Sequence, residues 1–520
     1  MEQQFINCGP LDKHARFQLD RHNLGFSTEI VLGVVLKNRL GNGDDKIAKS
    51  ILIKAAEHLI CLDKMLSAVI FHEDGNFPHW AVIKGAVNVK ESVILFDKCS
   101  KKFDNNARRL EHIYDCYSSG QFNLADKSAP LWKLALNRGY DSNEPDTLVV
   151  SLSHIVGDGH SARRVLLNAL EHIFSQHNYN DEVNSLEFQG QKNELPPTSL
   201  ETEFDVRPTL LIIIKSIMLS LILSKFIPSW LFQLSPNRKP VYSVGNRLLK
   251  DFRPQRELDS RVIVLPSLYA AIKSREIKYP VTVHSVLSRL LNLAHYQTCA
   301  HFSDLSSKND NNSEKALIKT ERTGRAATMV FHTGSTVAIA NHNKSLVSNF
   351  FGHYRCREEL GPETVFWDSA RKFHRLIRSQ EAHKEAITTS SQFDYLGGGT
   401  EFASKALNQP AGILQAAIST FLSNLGPFLS DSDKKNTAVS ENVTHAFFYH
   451  CVAPVALPTC TYAISLDKTS DTVLTFSWRR DTVSKEWVDY FEQALLAATN
   501  RIVGRAEKQD MNMTFASFIS

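Results

Sequence analysis

Among the 20 histidines of this chain, His154 is set apart by its surroundings. It opens the run His154-Ile155-Val156-Gly157-Asp158-Gly159. An apolar stretch from Val149 to Ser153 leads into that run, and Val165, Leu166, Ala169, Leu170 and Ile173 follow it at helical spacing. The run therefore joins a strand to a helix, and the ring of a histidine at the strand's end can project into open space. Imidazole titrates near working pH, so it can take a proton from a hydroxyl as that oxygen attacks a thioester, then return it to the leaving thiolate. Asp158, at the mouth of the helix, suits a structural role: it can cap backbone N–H groups or pair with an Arg, holding the turn and orienting the imidazole. Gly157 and Gly159 suit a tight turn with unusual backbone angles. The His-to-Asp spacing alone is weak, since His177 and Asp181 share it in a polar stretch with no strand before and no glycine after. The residues equally admit a buried histidine satisfied by backbone, with Asp158 as a simple cap.

The elements that must position these groups follow from periodicity. Helical patterns run from Leu11 to His22 and from Ala48 to Leu66, with a strand-like run from Glu29 to Leu36 between them. Arg21 and His22 read as solvated or capping residues, with a place at the border of the site as the alternative, and Trp478 as core rather than substrate contact. Polar, Pro-bearing sequence from Asn178 to Pro208 reads as a loop leaving a first lobe. This gives an N-terminal lobe over 1–200, an apolar crossover over 201–255 and a C-terminal lobe over 256–520. The second lobe carries a helical stretch Thr282 to Tyr296, a polar loop Ser303 to Ser313, a strand Thr336 to Ala340 and a helical pattern Glu363 to His383. Gly397 to Gly399 marks a turn. Strands at Ser419 to Leu425, Tyr462 to Leu466 and Thr472 to Trp478 precede an amphipathic helix from Lys485 to Val503. With neither regular βαβ alternation nor strands alone, α/β sandwich lobes are expected.

Composition narrows the function classes. At 520 residues the chain exceeds what one core usually supports, and 43% hydrophobic with 22% charged residues is ordinary for globular domains. The formal charge of +4 is spread without a basic block, which excludes nucleic acid as the expected partner. Eight scattered cysteines form no C-x-x-C pair or zinc-ligand cluster, so no metal is expected and the thiols read as reduced and cytosolic. The opening residues lack the pattern of a secretory signal. Residues 209–234 are strongly apolar, but Lys215, Lys225 and Pro228 divide them into pieces shorter than a span needs. A buried or interfacial helix is expected there, with peripheral contact at an internal membrane as the alternative. A monomer is expected.

Ser153-His154-Ile155-Val156-Gly157-Asp158-Gly159 resembles the H-x-x-x-D-G motif of the chloramphenicol acetyltransferase superfamily, which includes plant BAHD acyltransferases and peptide-synthetase condensation domains. Leu11 to Phe26, the late Phe421-Leu422-Ser423-Asn424-Leu425-Gly426 and the closing Leu474-Thr475-Phe476-Ser477-Trp478 are similar, in that order, to the fungal alcohol O-acetyltransferase branch. Ser153 stands where condensation domains carry a first His, and the D-F-G-W-G segment of plant enzymes is lacking. The resemblance implies an α/β fold of two chloramphenicol-acetyltransferase-like lobes, with a channel between them and His154 at its centre. It implies transfer of an acetyl group from acetyl-CoA, a cosubstrate rather than a bound cofactor, to the hydroxyl of a small apolar alcohol or secondary metabolite. His154 would be the general base, Asp158 and Gly159 would shape its turn, and Ser423 and Asn424 would lie near the reacting carbonyl, where a donor stabilises the oxyanion. An amine acceptor, a carrier-protein-bound donor and an inactive binding homologue are the alternatives. One departure bears on Asp158: after Val337 to Asn341, where relatives tend to carry an Arg, this chain has His342, Asn343 and Lys344.

Overall fold

The computed structural model describes residues 4–23, 29–73, 77–84, 87–100, 102–117, 122–175, 200–207, 258–273, 280–309, 329–339, 346–392, 420–435, 437–450, 459–479, 483–504 and 512–518. The His177/Asp181 pair, the apolar segment 209–234, the glycines 397–399 and the trio His342, Asn343 and Lys344 lie outside them. Among the described residues no helix is long and apolar enough to cross a membrane, and no His, Cys, Asp and Glu cluster could hold a metal ion.

A small antiparallel sheet is built from β1 (Gln4–Pro10), β3 (Ala68–Phe71) and β4 (His79–Lys84), in the order β1-β4-β3. The first large sheet holds β2 (Glu29–Leu36), β5 (Ile94–Lys98), β6 (Trp132–Arg138), β7 (Thr147–Ser153) and β12 (Val443–His450), in the order β12-β2-β7-β6-β5. The second holds β8 (Leu258–Leu265), β9 (Met329–Ala338), β10 (Phe351–Leu360), β11 (Thr420–Pro427), β13 (Thr459–Ser465) and β14 (Thr472–Arg479), in the order β10-β9-β11-β13-β14-β8. Every residue of β2 and of β7 is buried, which explains why both read as unbroken apolar runs rather than alternating ones. The two strands pair antiparallel, with Glu29 opposite Ser153. β12 returns from the C-terminal half to pair with β2, so the two halves of the chain share this sheet.

Helices cover each large sheet. Asp45–Leu62 and Gly159–Ser175 pack together over the first, and Val283–Asn309 with Lys485–Gly504 over the second. The first of these starts three residues earlier than its apolar pattern suggests, because Asp44 accepts from the N–H groups of Lys46 (2.7 Å) and Ile47 (3.1 Å). Two expectations are corrected. Ser303 to Asn309, within the expected loop, is helix: it continues the helix Val283–Asn309, which just before it has His301 stacked on Tyr490 at 4.1 Å, and 310–313 lie outside the described residues. The pattern from Glu363 to His383 is two helices, Phe366–Ile377 and Gln380–Gln392, because the Ser379 hydroxyl caps the second through the N–H of Ala382 (3.1 Å).

Candidate active site

His154 follows the last residue of β7 and is 4% exposed. Its ring lies 5.0 Å from Phe351 at the start of β10, 4.6 Å from His450 at the end of β12 and 5.8 Å from His14 on the helix Lys13–Asn23. The site therefore sits where strands of both large sheets meet that first helix. Burial is the main cause that lowers the pKa of His154, to about 4; Arg21 lowers it further, while Asp158 and the Asn349 amide raise it. His14 and His450 are both held well below the ordinary histidine value, first by burial and then by the neighbouring His154, His353 and Arg21. At neutral pH all three rings are uncharged, as a proton acceptor must be.

The turn is fixed by a short segment from a distant part of the chain. Asp158 Oδ1 accepts from the N–H (2.8 Å) and hydroxyl (3.0 Å) of Ser161, and its Oδ2 accepts from the N–H of Phe350 (3.1 Å). The N–H of Asp158 donates to the Ser348 carbonyl at 3.2 Å. The one hydroxyl proton of Ser161 is shared between Asp158 Oδ1 and that same carbonyl (2.7 Å), and its oxygen accepts from the N–H of Ser348 (3.0 Å). Asn349 Nδ2 donates to the carbonyls of His154 (3.1 Å) and Ile155 (3.3 Å). From behind, Asp63 accepts from the N–H groups of Leu346 (2.6 Å) and Val347 (3.2 Å), and Arg164 reaches the Leu346 carbonyl (3.1 Å) and the Ser348 hydroxyl (3.1 Å). Of the two roles open to Asp158, the structure shows capping, extended by a bond to Phe350. His154 Nδ1 and Asn349 Oδ1 are both buried without a hydrogen-bond partner. An Nδ1–H turned toward that carbonyl would leave Nε2 as the acceptor.

The glycines of the motif serve space rather than backbone angle, which corrects the sequence expectation. Neither Gly157 nor Gly159 has positive φ. A Cβ on Gly157 would come within 2.8 Å of Ser161 Cβ, and one on Gly159 within 2.7 Å of Leu425. The positive φ belongs to Gly426 (72°), at the end of the Ser423-Asn424-Leu425-Gly426 run.

β11 borders the site on one face only. Phe421 lies 5.6 Å from the ring of His353, which itself lies 5.3 Å from Phe351, and Leu425 abuts Gly159. Alternation along a strand puts Ser423 on the same face as Phe421 and Leu425. Its oxygen accepts from the Thr336 hydroxyl at 3.2 Å, which leaves its own O–H to give. Asn424 points the other way: its Oδ1 accepts from the N–H of Gly426 (2.8 Å), and it lines a separate cavity of about 60 Å³ with Tyr269 and Lys468. The structure thus puts Ser423 on the face of β11 that carries Phe421 and Leu425, and Asn424 beside the separate cavity.

Of the two expectations for Arg21, a solvated or capping role and a place bordering the site, its neighbours fit the second. His14, Gln18 and Arg21 share a helix face at i, i+4 and i+7. Arg21 Nη1 donates to Gln18 Oε1 (3.1 Å), and Gln18 Nε2 meets His14 Nε2 (3.2 Å). A guanidinium only donates, so Gln18 must present its oxygen to Arg21 and its NH₂ to His14, which makes His14 Nε2 an acceptor. Sequence reasoning also missed Asn349, Phe351 and His450. Arg21 was legible from its register with His14; the others lie far from the motif, and only tertiary pairing brings them in.

By sequence the chain matches no protein-family profile and no curated protein. Its structure is similar to trichothecene 15-O-acetyltransferase TRI3 of Fusarium sporotrichioides, with a TM-score of 0.62 and 12% identity over 96% of both chains. It is similar to the condensation domain of the monacolin K polyketide synthase MokA, with a TM-score of 0.57 and 12% identity over 99% of this chain and 100% of that one. The starter condensation domain of rhizomide synthetase RzmA, solved with C8-CoA and Leu-SNAC, gives a TM-score of 0.56 and 11% identity over 98% of this chain and 96% of that one. These likenesses establish a mixed α/β, two-lobe architecture of the condensation-domain and chloramphenicol-acetyltransferase type.

Proposed function

We propose that this protein is an acyltransferase that moves an acetyl group from acetyl-CoA to the hydroxyl of a small apolar alcohol or secondary metabolite, with His154 as general base. The observation that carries the reading is a buried, uncharged imidazole at the meeting of the two large sheets, in a turn held by six hydrogen bonds to Ser161, Ser348, Asn349 and Phe350. His154 Nε2 takes the acceptor's O–H proton while that oxygen attacks the thioester carbonyl. The Ser423 hydroxyl donates to the developing oxyanion. Collapse of the tetrahedral intermediate breaks the C–S bond, and the protonated imidazole gives its proton to the departing thiolate. Asp158 and Gly159 shape the turn without touching the reacting atoms. Nothing in this sequence of steps needs a bound cofactor.

The likeness to condensation domains favours a second reading, in which the thioester is presented by a carrier protein and the acceptor is an amine. Thiol release from acetyl-CoA, followed with fatty, aromatic and terpenoid alcohols and with matched amines, separates the two. Release stimulated by an alcohol, with the ester recovered, supports the first. Activity confined to a carrier-bound donor would replace it with the second.

A further inference from the structure

Among the described residues Arg21 is a cation without a counter-charge. It is half-buried beside three uncharged histidines, gives one N–H to Gln18, lies 5.8 Å above the Phe17 ring, and makes no ion pair among the described residues. The groups of β13 that interact with it are Tyr462 and Cys460, a phenol and a thiol rather than a carboxylate. A guanidinium withdrawn from bulk water is costly unless paired, and its planar fork of N–H donors matches a carboxylate in two parallel bonds. Two of the buried arginines have their acids, Arg138 with Asp146 at 2.6 Å and Arg289 with Glu358, whereas Arg109 makes no ion pair among the described residues.

We propose that Arg21 is a specificity residue, and that the substrate taken at His154 carries an anionic oxygen group, a carboxylate in the simplest case, which pairs with the free face of the guanidinium. This rests on the assignment of His154 as the base of an acyl transfer and revises the substrate class: a hydroxy acid in place of the apolar alcohol, or the thioester of a dicarboxylic acid in place of acetyl-CoA. His14 and Gln18 are positioning residues here: the direction of their hydrogen bonds holds Arg21, whose other N–H groups have no partner among the described residues.

Calorimetric titration with hexanoate and with 1-hexanol tests the pairing without requiring turnover. Wild type binds hexanoate roughly 10-fold or more tightly than hexanol, the scale of a hydrogen-bonded charge pair. Arg21→Gln removes that preference and Arg21→Lys keeps part of it. Equal binding of both probes by folded wild type overturns the proposal, whatever the acyl-transfer assays show; a preference that survives in Arg21→Gln also overturns it. Turnover then locates the carboxylate. Preference for 6-hydroxyhexanoate over its methyl ester, with acetyl-CoA, puts it on the acceptor, whereas preference for succinyl-CoA over butyryl-CoA, with a neutral alcohol, puts it on the donor. A wild type inert in every transfer assay but selective for hexanoate would sink the acyltransferase reading and leave Arg21 as an anion site.

Discussion

An imidazole that removes a proton at neutral pH must be uncharged there, and the surroundings of His154 enforce that state. Burial and the nearby Arg21 lower its pKa to about 4, so the base form persists well into acid. The acid limb of kcat/KM should therefore fall near pH 4 rather than near the ordinary histidine value, and Arg21→Gln should move that limb upward by removing a cation. A limb at 6.5 in wild type would contradict the burial argument. Asp158 uses both carboxylate oxygens as acceptors, toward Ser161 and toward the N–H of Phe350. Asp158→Asn can supply only one, and its NH₂ would face a donor. It should lose about 1–3 kcal/mol of stability by urea denaturation, together with activity; an unchanged midpoint would mean that the bond to Phe350 carries no weight. At this scale His154, Asp158 and the glycines were legible because the motif is contiguous. Asn349 and His450 were not, since 195 and 296 residues separate them in sequence from His154.

The elements explain why the motif needs its glycines and how it manages without the expected arginine. Segment 346–350, just before β10, is tied to the mouth of the helix Gly159–Ser175 and braced by Asp63 at the end of the helix Asp45–Leu62. Gly157→Ala would drive its methyl into Ser161, the residue through which those ties run. A cost of roughly 1–3 kcal/mol is expected, typical of overpacking, with a loss of kcat that exceeds any change in KM. Full activity in that variant would show that the Ser161–Ser348 contact does not position His154. Strands with buried faces on both sides, such as β2 and β7, were legible as apolar runs. The helical character of Ser303 to Asn309 was not, because these polar residues continue a helix whose aromatic contact, His301 on Tyr490, lies before them.

For the whole molecule, the mixed α/β reading and the two-lobe architecture follow from the pattern and the motif order. The return of β12 to pair with β2 was hidden, since an apolar strand does not announce which sheet it joins. The same pairing delivers His450 to the site. Burial leaves several histidines neutral in the fold: His154 and His284 are lowered to about 4 and His295 to about 3. Unfolded chains take up these protons near pH 6.5, so between pH 6.5 and about 4 the unfolded state binds more protons, and stability falls as pH is lowered through that window. Each such histidine contributes about 1.4 kcal/mol per pH unit there. Tm measured in steps from pH 7 to 4.5 should drop accordingly; a flat profile would show that these rings are not buried as described. The central claim, that His154 is the base of an acyl transfer, is tested most directly by thiol release from acetyl-CoA in the presence of an accepted substrate, comparing wild type with a folded His154→Ala variant. A loss of roughly 10²-fold or more is predicted, and a variant that retains full activity would contradict the account.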